Sequence, residues 1–225
     1  MVKIGNKNIN PTKIVCLGRN YLDHIRETKA LIPVEPVFFV KTLNTLVTNN
    51  EPIIYPKILY ESEKYNRVDH EVELAFIIFQ TCKNISAEVA FDYIQGYTIF
   101  LDLTARIMQK SDRGINLPWY RSKNFDTFGP IGPIIVPTRE INDPHNLTIQ
   151  LKINGQKKQF SNTKHMLFKI PQILEYLSKF VTLQRGDIIA TGTPSGIGPI
   201  QPGDVLEASI EKIGTITHEV ILEGK

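Results

Sequence analysis

The segment DHEVELAFIIF, residues 69–79, limits the possible folds more than any other stretch of the chain. Read as a strand, it places Val72, Leu74, Phe76 and Ile78 on one face and Glu71, Glu73, Ala75, Ile77 and Phe79 on the other. A strand that is apolar on both faces must be covered on both, so it belongs inside a layered β structure. Glu71 and Glu73 then point the same way at its start, roughly 6.6 Å apart along the chain. Such carboxylates are either solvated at a strand end that reaches the surface or matched by cations, because a buried unpaired carboxylate is too costly. A divalent ion is one natural match, since hard cations take carboxylate oxygens.

A second segment, GYTIFLDLTARIMQ, closes another apolar strand on an acid, Asp102. If the chain turns helical after it, Asp102, Arg106 and Gln109 share one helix face. That spacing fits either a structural Asp102–Arg106 ion pair or a site where acid, cation and amide converge. Three carboxylates on two buried strands, with no His or Cys cluster beside them, favour Mg²⁺ or Mn²⁺ over zinc.

Three further features carry chemistry. In GRNYLDHIRE, His24 and Glu27 are able to meet on one helical turn, where a carboxylate orients the imidazole as a base near neutral pH. The same pairing also occurs on exposed loops. Lys123, in RSKNFDTFGPIGP, precedes a Gly/Pro-rich loop. Late in the chain, ATGTPSGIGP follows an apolar strand, and its glycines with the Thr191 and Thr193 hydroxyls are either a tight connection or a cradle for an anion. It is not a P-loop, because the lysine is missing.

The 225 residues suffice for one sizeable core. Strand-like runs recur at 13–17, 36–41, 52–55, 71–79, 97–103, 131–136, 147–153, 187–191, 205–210 and 215–222. Two helices are expected. One is capped by Ser86 and ends at Gly96; the other starts near Pro171 and buries Ile173, Leu174, Leu177, Phe180 and Val181. The fold class is therefore mainly β (α+β) with few helices. Residues 1–60 read as a small β-rich lead-in and 61–225 as the larger β body.

Twenty-six Lys and Arg against 23 Asp and Glu leave a net charge of +3, and the bases are scattered. That excludes the electrostatic footprint of nucleic-acid binding. The longest apolar run, Leu74–Phe79, is far short of a membrane span. The opening MVKIGNKNINPTK shows no targeting signal, and Cys16 and Cys82 read as buried thiols, so a cytoplasmic setting is expected.

Together the pieces GRNYLDHIRE, EPVFFVK, DHEVELAFII, GYTIFLDLTAR, KNFDTFGPIGP and GDIIATGTPSGIGP resemble, in order and over nearly the whole chain, the fumarylacetoacetate hydrolase family. The short form is similar to its acylpyruvase and oxaloacetate decarboxylase branch. The resemblance implies a mixed β-sandwich roll, a homodimer and a Mg²⁺ or Mn²⁺ site held by Glu71, Glu73 and Asp102. It places Arg106, Gln109, Thr191 and Thr193 at substrate-contacting positions beside Lys123. It also puts His24 and Glu27 on a segment that closes over ligand. In the family's larger enzyme an aspartate matching Asp23 also reaches the metal. Residues 42–50 follow no family pattern and are expected to shape the pocket mouth.

The implied chemistry is cleavage beside a 2-oxo acid: hydrolysis of acylpyruvates, or decarboxylation of oxaloacetate, through a metal-stabilised pyruvate enolate. Proton transfer on the same site would instead make an isomerase or tautomerase. A keto-acid-binding protein without turnover is the reading from a different class, although it needs neither dyad nor lysine.

Overall fold

A computed structural model describes residues 1–48 and 50–224, so Asn49 of the 42–50 stretch lies outside the described residues. The chain opens with a hairpin of β1 (Val2–Ile4) and β2 (Lys7–Ile9), followed by β3 (Ile14–Gly18), α1 (Leu22–Glu27) and β4 (Val37–Lys41). Next come β5 (Leu46–Thr48), β6 (Ile53–Tyr55), α2 (Lys57–Tyr60), β7 (Val68–His70) and β8 (Val72–Ile78). A 3-10 helix, Ala87–Tyr93, leads into β9 (Ile94–Leu101), β10 (Thr104–Ala105), α3 (Arg106–Gly114) and α4 (Tyr120–Lys123). The remaining elements are β11 (Gly129–Pro137), β12 (Thr148–Ile153), β13 (Gln156–Asn162), α5 (Ile170–Phe180), β14 (Ile188–Ala190), β15 (Gly198–Ile200), β16 (Val205–Ile210) and β17 (Gly214–Leu222).

Two large sheets face each other. One runs β4-β3-β14-β8-β9-β11-β5 and the other β13-β12-β16-β17-β6. β12 packs on β8, β16 on β9 and β17 on β11, which makes a mainly β, two-layer roll. Strands from residues 1–60 hydrogen-bond into both sheets, with β3 on β14 and β6 on β17.

The patterning explains the layers. β8 is buried at every position. Its Val72, Leu74, Phe76 and Ile78 enter the core between the sheets, while Ala75 and Ile77 enter a second cluster with Ile4, Ile9, Cys16 and Phe100. The β1–β2 hairpin, not anticipated from the sequence, supplies the isoleucines that cover this outer face. β12 alternates buried and half-buried positions, as expected of a strand covered on one side.

Two helical expectations need correction. The Ser86 segment forms a 3-10 helix that stops at Tyr93, and Gly96 lies inside β9 rather than at a helix end. The glycine is needed there because a Cβ would meet the Val136 carbonyl oxygen at 2.2 Å. α5 buries Ile173, Leu174 and Leu177 as expected, but Phe180 is 57% exposed and packs instead beside Tyr176 and Phe38. Val181 is only partly buried against the core.

Candidate functional site

β8 and β9 bring the acids together. Glu71 precedes β8, Glu73 lies within it, and Asp102 follows β9, whose Leu101 pairs with Val72. One carboxylate oxygen from each of Glu71, Glu73 and Asp102 lies within 4.8 Å of the others, and all three residues are buried. They form the buried floor of a cleft that opens to solvent. His24, Arg106, Gln109, Lys123 and Thr193 line the same cleft.

Cations answer two of the three acids. The Lys123 ammonium, at the end of α4, donates to Glu71 Oε2 at 2.9 Å and to Asp102 Oδ2. Burial pulls this ammonium down, but Asp102 and Glu71 outweigh it and hold it above the ordinary lysine range. Burial would likewise raise Glu71, yet Lys123 and then Arg106 hold its carboxyl well below the ordinary value. Glu73 is different. Its Oε2 accepts the Gly192 N–H at 2.7 Å, and burial, then Asp102 and Glu71, push its carboxyl up.

Arg106 departs from the expected Asp102 pairing. The two-residue strand β10 separates Asp102 from α3, so the acid is not on the helix face. Arg106 instead donates Nε to Asp69 Oδ2 at 2.8 Å, Nη2 to Glu71 Oε1 and Nη1 to Gln109 Oε1 at 2.6 Å. Asp102 takes Lys123 and a second lysine, Lys41, whose Nζ donates to Asp102 Oδ1 at 2.8 Å and to the Leu103 carbonyl at 3.2 Å.

Lys41 is fully buried and was missed as a site residue, as was Asp69. The signal for Lys41 was present: a lysine ending the apolar strand VFFVK has to find a carboxylate or reach solvent. Also missed was the brace of Gln159 on β13. Its Oε1 accepts Val72 N–H at 3.1 Å and lies 3.0 Å from His70 Nδ1, and its Nε2 donates to Thr193 Oγ1 at 2.8 Å and Pro194 O at 2.9 Å.

The imidazole and its carboxylate do meet. His24 Nδ1 lies 3.1 Å from Glu27 Oε2 across one turn of α1, and Glu27 Oε1 accepts the Gly196 N–H at 3.0 Å. Burial pushes Glu27 up, but the His24 bond and then the Gly196 N–H outweigh it, so its carboxyl sits below the ordinary range. Asp23, by contrast, is exposed and faces Arg26 at 3.4 Å, outside the acid cluster.

The threonines of TGTP have other partners. Thr191 Oγ1 donates to Leu74 O at 2.8 Å and Thr193 Oγ1 to Val72 O at 2.9 Å, stitching the loop to β8. The turn between them uses Gly192 at φ +89°, where a Cβ would approach Asn20 Cβ at 2.9 Å. Its N–H already holds Glu73, so the cradle receives one of the chain's own carboxylates.

Residues 42–48 brace the Lys123 segment rather than shape the mouth. Thr42 N–H donates to Asn124 Oδ1 at 2.5 Å and Asn44 Nδ2 to Asp126 Oδ1 at 2.6 Å. Cys16 and Cys82 are buried free thiols, and burial, then Asp102 and Glu73, push Cys16 well up. Neither is poised as a nucleophile. No helix among the described residues is long and apolar enough to cross a membrane.

Comparison with known proteins agrees with this architecture. Residues 13–221 match the family described as fumarylacetoacetate (FAA) hydrolase C-terminal. An uncharacterised protein of Pyrococcus abyssi is 51% identical over 219 residues, covering 97% of this chain and 94% of the relative. The mitochondrial oxaloacetate tautomerase of Bos taurus is 40% identical over 208 residues, covering 92% and 90%. Among solved structures, the fumarylpyruvate hydrolase of Pseudomonas aeruginosa, in complex with Mn²⁺ and pyruvate, superimposes with a TM-score of 0.88 at 29% identity, covering 97% and 93%.

Proposed function

The chain belongs to the fumarylacetoacetate hydrolase family, and on that premise we propose that it moves a proton at the carbon beside the 2-oxo group of a small 2-oxo acid. The reaction we assign is interconversion of the enol and keto forms of oxaloacetate, with one Mg²⁺ or Mn²⁺ per site. The observation that carries it is His24, oriented by Glu27, lining the same cleft as the buried acid cluster. We put tautomerisation ahead of acylpyruvate hydrolysis and oxaloacetate decarboxylation, the reactions that motif resemblance put first, although the dyad serves any of the three. The change rests on oxaloacetate tautomerases among relatives that match over nearly the whole chain.

Glu71, Glu73 and Asp102 fit a hard divalent ion: three carboxylates, no softer ligand among them, and one acid left without a cation of its own. When bound, the ion polarises the 2-oxo group and makes the neighbouring C–H more acidic. Because Glu27 holds Nδ1, Nε2 of His24 is left to accept a proton from C3 of the keto form while the 2-oxo oxygen gains one from water, and to return it to C3 as the enol hydroxyl gives its proton to water. The Lys123 ammonium offsets the charge that develops on the 2-oxo oxygen. Gln109 gives its amide oxygen to Arg106, which leaves its NH₂ to donate to substrate. Arg106, already held by Asp69 and Glu71, orients this wall of the cleft.

Decay of enol-oxaloacetate absorbance in stopped flow tests the assignment, with Mg²⁺, Mn²⁺ or EDTA. Metal-dependent acceleration is expected. No acceleration, with cleavage of acetylpyruvate or fumarylpyruvate in parallel assays, would replace the tautomerase reading by hydrolysis.

A further inference from the structure

Two arginines that line the cleft have no carboxylate partner among the described residues. Arg19, just after β3, and Arg113, in the last turn of α3, both line the cleft whose floor is Glu71, Glu73 and Asp102. Among the described residues neither guanidinium has a carboxylate partner, and the nearby acids are all engaged elsewhere. Asp112, next to Arg113, is buried and takes a fork from Arg121, at 2.9 Å from Nε and 2.5 Å from Nη2. Asp23 faces Arg26, and Glu27 holds His24 and Gly196.

The two cations also act on each other. Burial, then the charge of Arg113, lowers Arg19 from the ordinary arginine range. Like charges gathered in a pocket without an anion are unfavourable until one arrives. Arg19 adopts φ +60°, a left-handed conformation. Preceding it, Gly18 packs under the Trp119 ring, which a Cβ would meet at 3.1 Å, so this turn is fixed against a rigid wall.

Resting on the tautomerase reading, we propose that Arg19 and Arg113 form a subsite for the distal carboxylate of the substrate and thereby select dicarboxylic 2-oxo acids over neutral-tailed ones. The substrate's 2-oxo end lies toward the acids on the cleft floor, and its far carboxylate reaches the two guanidinium groups. Arginine suits this task because its planar fork matches a carboxylate. Arg113, on the exposed end of α3, also lines a neighbouring groove of mixed charge with Lys29, Lys110, Glu27 and the Arg67–Asp69 pair.

Chain-matched ligand pairs test this by calorimetric titration in the presence of Mg²⁺: 2-oxoglutarate against 2-oxopentanoate, and oxaloacetate against 2-oxobutanoate. The dicarboxylate of each pair is expected to bind roughly tenfold tighter or better. In Arg113→Gln, and further in Arg19→Gln/Arg113→Gln, this ratio should fall toward one. Arg113→Gln alters an exposed helix end, so a folding failure of the double variant would leave it as the deciding measurement. Equal affinity for both members of each pair in the wild-type protein, or an unchanged ratio in Arg113→Gln, would overturn the subsite while leaving the tautomerase reading intact. Failure of all four ligands to bind would instead remove the reading on which it rests.

Discussion

The two ends of β14 each meet a buried acid, and they treat it in opposite ways. At the start of β14, Asp187 is fully answered. Its Oδ1 accepts Thr12 N–H and Oγ1–H, both at 2.8 Å, and its Oδ2 accepts Lys13 Nζ at 2.6 Å and Gln184 N–H at 2.7 Å. At the other end, the Gly192 turn meets Glu73, a buried acid with two more acids beside it and no lysine or arginine of its own. The first arrangement is complete within the chain and holds β3 to β14. The second answers Glu71 and Asp102 with Lys41, Lys123 and Arg106 but leaves Glu73 without a cation of its own, a carboxylate that a divalent ion would match.

Removing divalent metal is the strongest way to break this comparison. EDTA should abolish turnover and addition of Mg²⁺ or Mn²⁺ should restore it, while melting of the fold around Asp187 persists in the stripped protein. Full activity without metal would place Glu73 in the same structural class as Asp187.

The next largest effect separates the base from the acid cluster. His24→Ala should slow turnover by roughly 10²–10⁴-fold while leaving Mn²⁺ affinity nearly unchanged, since the imidazole is not among the groups gathered at the candidate ion site. An unaltered rate would mean that another group moves the proton.

Asp187→Asn probes the other end. Losing a buried ion pair should lower unfolding free energy by about 3 kcal/mol, read from denaturant midpoints, with metal affinity unchanged. The pH dependence has a definite sign. Burial raises Asp187, but the Lys13 bond and the backbone N–H donors outweigh it and hold its folded carboxyl below the ordinary range. The stabilisation is therefore present above the unfolded pKa, about 4, and lost as pH falls through the lower folded value. Below about pH 4 the wild-type advantage over Asp187→Asn should shrink; an equal advantage throughout acid pH would contradict the assignment.

Much of this was legible in the sequence because β-strand alternation and apolar runs are local signals. The double-faced run after Glu73 marked a buried strand, and the acids at strand ends marked a site. What escaped depended on contacts distant in sequence. Asp102 finds Lys41, 61 residues away, and Val72 N–H finds Gln159, 87 residues away. No periodicity records such pairings. The helix that follows Ser86 forms as a 3-10 helix but ends at Tyr93 rather than Gly96, because close approach to Val136 holds Gly96 within β9. The segment 21–31 also divides. Its charged composition suggests little to bury, yet Tyr21 and Ile25 are each 1% exposed, and the open portion runs from Arg26 to Leu31, which is 84% exposed.

That division gives the smallest expected effect. Hydrogen exchange across residues 21–31 should slow when oxalate and Mg²⁺ are added together, as α1 settles over a chelating ligand, and most so toward Leu31. Equal protection with and without oxalate would show a closed site from the outset and remove gating from the mechanism.

The central claim, that the acids at the Glu73 end of β14 form a cation site, is tested most directly by titrating Mn²⁺ into metal-free protein and into Glu73→Gln, following free Mn²⁺ by its electron paramagnetic resonance signal. The account predicts one saturable site per chain in the wild-type protein. It predicts loss of that site in a variant whose melting temperature is retained. Absence of a site in the wild-type protein, or the same binding curve for a folded Glu73→Gln, would contradict it.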